Sequence, residues 1–125
     1  MKYIDWSNKT FLIAEDEDIN YLFLEEALKH TCVKILRATN GEEAVQLFQS
    51  NAIDLILMDI KMPKKNGYDA KTAIKEINSL VPIIAQTAYA LSGEKEKILG
   101  SGFDDYIAKP IKQANLLEVI LRNIV

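Results

Sequence analysis

The sequence predicts an α/β domain: a doubly wound, five-stranded parallel sheet with helices on both faces. Short apolar runs alternate five times with longer segments whose apolar residues recur at helical spacing. Strict strand–helix alternation implies parallel strands joined by right-handed crossovers. Within the third run, Asp54 to Met58, the stretch from Leu55 to Met58 is apolar without a polar alternate, as expected of a strand covered on both sides. The 125 residues suffice for one domain with a real core.

The first strand is read at Phe11 to Ala14, ahead of the acidic stretch EDED. Ile19, Leu22, Phe23, Ala27 and Leu28 then recur at helical spacing, with Asp16 or Asp18 as the expected cap. Val33 to Ala38 is the second strand. In the helix that follows, Asn40 and Glu43 resemble a capping box, and Ala44, Val45, Leu47 and Phe48 supply an apolar face. After the third strand, a turn with Pro63 and Gly67 leads to a helix from about Tyr68 to Ser79. PIIAQT is the fourth strand, with Pro82 at its start where a missing N–H is tolerated. A short polar helix lies in SGEKEKILGSG. Asp105 to Ala108 forms the fifth strand, ending at Lys109-Pro110. Leu116, Leu117, Ile120, Leu121 and Ile124 give the last helix its stripe. Residues 1–9 read as an N-terminal extension or linker, and 10–125 as the domain.

Composition excludes several classes. Hydrophobic residues make up 49% and charged residues 26%, with a net charge of −3. That balance argues against a general nucleic-acid binder, whose footprint is basic; the Lys61, Lys64 and Lys65 group reads as a solvated loop. Cys32 is the single cysteine, so neither an internal disulfide nor a cysteine metal site is available. It reads as a small apolar residue in or near a strand. No apolar run reaches membrane-span length and no signal peptide is visible, so a cytoplasmic location and no membrane contact are expected.

In a doubly wound sheet, sites form beyond the carboxyl ends of the strands. Glu15, Asp16 and Glu17 follow the first strand, Asp59 the third, and Lys109 the fifth, while Thr87 ends the fourth. A carboxylate closing the most apolar strand needs a counter-charge: two carboxylates about 4 Å apart repel by roughly 4 kcal/mol at an effective dielectric near 20. A hard cation such as Mg²⁺ with oxygen ligands would relieve this. Lys109 adds a fixed positive charge, and Asp is a competent nucleophile for forming an aspartyl-phosphate. Taken singly, these acids also read as caps, Thr87 as a strand-end hydroxyl and Lys109 as a surface lysine. Their joint placement at strand ends is what points to a site.

The stretches FLIAEDEDIN, DLILMDIKMPKKNG, IIAQTAYA and GFDDYIAKPI resemble the receiver domains of two-component response regulators, most closely those of hybrid sensor histidine kinases. The resemblance runs from Thr10 to the C-terminus. It implies a flavodoxin-like strand order 2-1-3-4-5. It implies that Asp59 is the phosphoacceptor and that Mg²⁺ is held by Asp16, by Glu15 through water, by Asp59 and by the backbone carbonyl of Lys61. Thr87 would be the switch hydroxyl, Tyr106 the switch aromatic, and Lys109 the lysine that pairs with the phosphoryl group. Lys61 and Tyr89 would border the path of a hydrolytic water and tune the lifetime of the phosphate. A tight turn is implied at Lys109-Pro110, and a cis bond is expected there. Many receivers carry Asp-Asp where this chain has Glu15-Asp16, which keeps the charge on a longer arm.

The only histidine, His30, lies near the end of the first helix, so the donor must be a phosphohistidine on another domain or chain. The expected partner is a sensor histidine kinase or histidine phosphotransfer protein; the resemblance also allows a homodimer through the last helices. The reading is a signalling domain that assists its own phosphorylation and dephosphorylation, not an enzyme, without an output domain after the last helix. A haloacid dehalogenase-type phosphatase would need an acid two residues beyond Asp59, where Lys61 stands. A pseudo-receiver, an interaction module never phosphorylated, is the alternative.

Overall fold

A computed structural model describes residues 4–88 and 93–124. Five strands, β1 (Thr10–Ala14), β2 (Lys34–Ala38), β3 (Leu55–Asp59), β4 (Ile83–Thr87) and β5 (Asp105–Ala108), alternate with α1 (Asp18–Leu28), α2 (Gly41–Ser50), α3 (Gly67–Ile77), α4 (Glu94–Gly100) and α5 (Gln113–Asn123). All pairings are parallel and the order is β2-β1-β3-β4-β5. The chain therefore winds one way from β1 to β2, then returns past β1 to build β3, β4 and β5. That reversal leaves a crevice between the carboxyl ends of β1 and β3.

Side chains alternate across each strand, and the two sets enter separate apolar layers. Leu12, Ala14, Ile56, Met58, Ile83 and Ala85 pack with α2, α3 and α4 through Ala44, Phe48, Ala70, Ile74 and Ile98. Phe11, Ile13, Leu55, Leu57, Ile84 and Ile107 pack with α1 and α5 through Leu24, Leu28, Leu116 and Ile120. β3 and β4 are buried along their whole length, whereas the edge strand β2 is only partly covered. This is why the central runs read as continuously apolar.

Several local expectations change. The α1 cap is Glu17, without a side-chain cap bond, and Asp18 lies in the first turn instead of capping. Asn40 does cap α2 by accepting from the Glu43 amide, but Glu43 reaches back to the Thr39 amide instead of closing a reciprocal box. Cys32 is exposed, in the left-handed region at φ 63°, closing the 3-10 turn Lys29–Thr31 just ahead of β2. It packs in no core because that turn aims it outward.

The residues ahead of β1 join the fold. Trp6 is 6% exposed, its ring centroid lies 5.2 Å from that of Phe11, and its amide donates to the Thr31 carbonyl at 2.7 Å. Trp6→Ala should therefore cost about 3 kcal/mol. Urea unfolding checks this; an unchanged midpoint would mean the segment only rests on the surface.

Candidate functional site at the carboxyl ends of the strands

Register places the chemistry. Asp59 continues the Leu55–Leu57 face of β3 toward α1 and α5, and its neighbour across the ladder is Gln86. Glu15 follows Ala14, which pairs with Met58, so it falls beside Asp59. Lys109 follows β5, and its amide donates to the Thr87 carbonyl at 2.8 Å. The lysine Nζ stands 3.3 Å from Glu15 Oε1 and 3.3 Å from Asp59 Oδ2, bridging the two acids. The other Asp59 oxygen, Oδ1, accepts from the Lys61 amide at 3.2 Å, and Glu15 Oε2 accepts from the Glu17 amide at 3.1 Å.

Gly67 makes the close approach behind this carboxylate possible. Its amide donates to the Ile60 carbonyl at 2.8 Å, and a Cβ there would lie 2.5 Å from the Asp59 carbonyl oxygen. The Asn66 side chain caps α3 just ahead of it by accepting from the Asp69 amide. The β3–α3 loop is thus drawn tight under the site.

Burial shapes the charges. The Glu15 side chain is fully covered. That desolvation pushes its carboxyl up to about 7; the Glu17 amide opposes the rise, and the Asp59 charge adds to it. Burial alone would lower the Lys109 ammonium, but Asp59 and Glu15 outweigh it and hold it above its ordinary value. One ammonium thus faces two carboxylates, and a third acid stands close by. Glu15, Asp16 and Asp59 each offer an oxygen within 4.8 Å of the others. This all-oxygen set, with one carboxylate already strained toward protonation, fits a hard divalent cation.

The remaining predicted residues divide between the crevice and the opposite face. Asp16 and Lys61 line one shallow cleft of about 510 Å³ together with Asn66 and Tyr68. Thr87 is buried at the end of β4 and follows Ile83 and Ala85 toward the α2–α4 layer. Tyr106 pairs with Ala85 on β5 and packs half-buried on that layer, with the Lys95 ammonium 5.7 Å from its ring centroid. The Lys109–Pro110 bond is cis, as expected. Tyr89 lies outside the described residues.

Two contributors escaped the sequence reading. Arg37 donates from Nε and Nη2 to the Glu15 carbonyl at 3.2 and 3.1 Å, pairs with Asp18 at 2.8 Å and stacks on Tyr21 at 4.5 Å. It pins the backbone of the first acid from β2. The signal was its place one residue before the end of the strand beside β1. Gln86 is the other, a fully buried amide next to Asp59 in the ladder.

The strand order, with carboxylates gathered where it reverses, defines a flavodoxin-like domain. A sequence profile described as the response regulator receiver domain matches residues 11–121, and the chain belongs to that family. It is 35% identical over 116 residues to the sensor histidine kinase GacS of Pseudomonas protegens, covering 89% of this chain and 13% of that protein. It is 42% identical over 118 residues to hybrid signal transduction histidine kinase I of Dictyostelium discoideum, covering 87% of this chain and 7% of that one. The chain thus spans a small fraction of these relatives. Among solved structures it resembles the receiver domain of the sensor histidine kinase PA1611 from Pseudomonas aeruginosa, which has a magnesium ion coordinated in its active site cleft. That match has TM-score 0.85 and 35% identity, and covers 92% of this chain and 96% of that one. It also resembles a chain in the co-crystal of the Saccharomyces cerevisiae phosphotransfer protein Ypd1 with the Ssk1 receiver domain, with TM-score 0.87 and 28% identity, covering 98% of this chain and 91% of that one. No helix among the described residues is long and apolar enough to cross a membrane.

Proposed function

We propose that Asp59 accepts a phosphoryl group from a phosphohistidine on a sensor histidine kinase or phosphotransfer protein. An Asp59 oxygen attacks phosphorus, the P–N bond breaks, and the imidazole leaves with the bonding pair, so the product is an aspartyl-phosphate. The observation that carries this reading is the Asp59 carboxylate itself, with Oδ2 on Lys109 and Oδ1 on the Lys61 amide beside two further acids. Lys109 is placed to follow the charge onto the phosphoryl oxygens. Mg²⁺ held by Glu15, Asp16, Asp59 and the Lys61 carbonyl would neutralise the charge developing at phosphorus. The domain so assists its own phosphorylation without turning over a separate substrate.

A protein donor is favoured by the surface beside the site. Ile19, Leu22 and Phe23 are 81%, 57% and 44% exposed at the start of α1, an apolar patch next to the acids. Thr87 and Tyr106, both facing the α2–α4 layer, would carry the change outward toward α4, β5 and α5. Exposed Leu121 on α5 would serve a partner or a second copy there. A cytoplasmic location follows from this donor chemistry. Incubation with acetyl phosphate and Mg²⁺ should add the mass of one phosphate, and chelation should prevent it. No gain under any Mg²⁺ concentration would instead assign an unphosphorylated interaction module.

Mg²⁺ should also raise the melting temperature, because it binds the folded acid cluster and not the unfolded chain. The rise should vanish in Asp16→Asn. A wild-type melt indifferent to millimolar Mg²⁺ would contradict the metal assignment. Lys61 is exposed at the cleft and its ammonium can pair with a phosphoryl group there. Lys61→Asn and Tyr89→Ala should each lose phosphate faster once donor is removed, and unchanged decay in both would reject their tuning role.

A further inference from the structure

We propose that Arg37 is a positioning residue for the divalent cation: it locks the turn between β1 and α1, so that Glu15 and Asp16 are set in place before metal arrives. The proposal rests on reading the acid cluster as a cation site. Glu15 stands where the β1–β2 ladder ends. Its amide donates to the Ala38 carbonyl at 2.9 Å, one step beyond the last paired residues, Ala14 and Ala38. Its carbonyl accepts from Arg37 Nε and Nη2 at 3.2 and 3.1 Å. Both backbone polar groups of the first acid are therefore held from β2, one by backbone and one by side chain.

The same guanidinium holds the far end of the turn. Nη2 lies 2.8 Å from Asp18 Oδ1, and the group stacks on the Tyr21 ring with its carbon 4.5 Å from the centroid. Asp18 and Tyr21 are three residues apart, on one face of α1. One planar cation thus spans the turn, and Asp16 and Glu17 lie between its two anchors. Such a clamp has work to do, because Glu15, Asp16, Glu17 and Asp18 are four consecutive acids. Their repulsion favours a splayed turn, and each residue that a cation must order on binding subtracts from its affinity. Charge and position act in opposite senses here. A cation beside acids repels Mg²⁺, so removing Arg37 would tighten binding if charge were its whole effect. Weaker binding therefore reports position.

The test titrates Mg²⁺ into isotope-labelled wild type, Arg37→Met and Arg37→Lys. It follows the NMR signals of the Glu17 and Lys61 amides, which bond to the Glu15 and Asp59 carboxylates. Both variants should bind Mg²⁺ roughly tenfold or more weakly than wild type, the loss typical of removing a group that holds a metal ligand in place. Arg37→Lys keeps the charge but loses the planar fork, and it carries the test alone if Arg37→Met does not fold. Wild-type affinity in either folded variant would overturn the proposal, and a lowered melting temperature beside it would leave Arg37 a structural role only. Tighter binding by Arg37→Met would overturn it in favour of charge. A wild type with no saturable response to Mg²⁺ would sink the cation reading itself, and this proposal with it.

Discussion

Lys109→Met should destabilise the domain by about 3 kcal/mol in the absence of divalent cation, the largest stability loss expected at any site residue. The reason is what remains behind. Among the described residues, Lys109 is the ammonium that bridges Glu15 and Asp59, whose side chains are 0% and 8% exposed. Removing it leaves two covered carboxylates facing each other without compensation. The domain has two ways to recover, and both are measurable. Mg²⁺ should restore much of the lost stability in the variant, more than it adds to the wild type. Protonation should do the same. The Glu15 carboxyl titrates near 7 in the folded protein, above its ordinary value of 4.5, so the folded state holds an extra proton between those limits. Its unfavourable contribution is absent below about 4.5, grows as pH rises from there to about 7 and is complete above it; without the Lys109 charge, which lowers this carboxyl, the window extends to higher pH. Denaturation at pH 6 and pH 8 should therefore show a smaller Lys109→Met deficit at the lower pH. A deficit indifferent to both cation and pH would assign Lys109 a packing role only.

Asp59→Asn should abolish phosphorylation while leaving the domain folded. The substitution keeps the shape of the side chain and its capacity to accept from the Lys61 amide, but removes the nucleophilic charge. Among the described residues, Glu15 and Asp16 are the other acids in the cluster. Glu15 is covered and engaged by Lys109 and by the Glu17 amide, so it is a poor substitute acceptor. Without divalent cation the variant should melt no lower than wild type, because one of the charges that repels Glu15 is gone. The Mg²⁺-induced rise should shrink with it. Intact-mass analysis after acetyl phosphate reads the chemistry, and thermal melts read the fold. A variant that still gains phosphate at the wild-type rate would place the acceptor elsewhere.

The fold was largely legible because the central strands are covered on both faces and carry no polar alternate. β3 and β4 declared themselves by composition, and the helices by spacing. Strand order did not, since apolar periodicity records which faces are buried and not which strand lies beside which; it came through the resemblance. The site was legible because its residues occupy successive strand ends, which are fixed once the strands are placed. What escaped depends on partners far apart in sequence. Trp6 looked like linker because the surface that receives it, Phe11 and the Thr31 carbonyl, is assembled only in the fold. Arg37 looked like an edge-strand cation until β2 was set beside β1 and its guanidinium met the Glu15 carbonyl. Gln86 looked like an ordinary strand residue, because its burial beside Asp59 depends on the strands paired around it. Cys32 was misread as apolar because nothing local announces the left-handed turn that exposes it.

The central claim is that Asp59 takes phosphate from histidine. It is tested most directly by mixing this chain with a phosphotransfer domain labelled on its histidine, in the presence of Mg²⁺, and mapping where the label goes. The label should leave the donor and appear on the peptide that contains Asp59, with none elsewhere in the chain. Label that stays on the donor, or that arrives on a peptide lacking Asp59, would contradict the account.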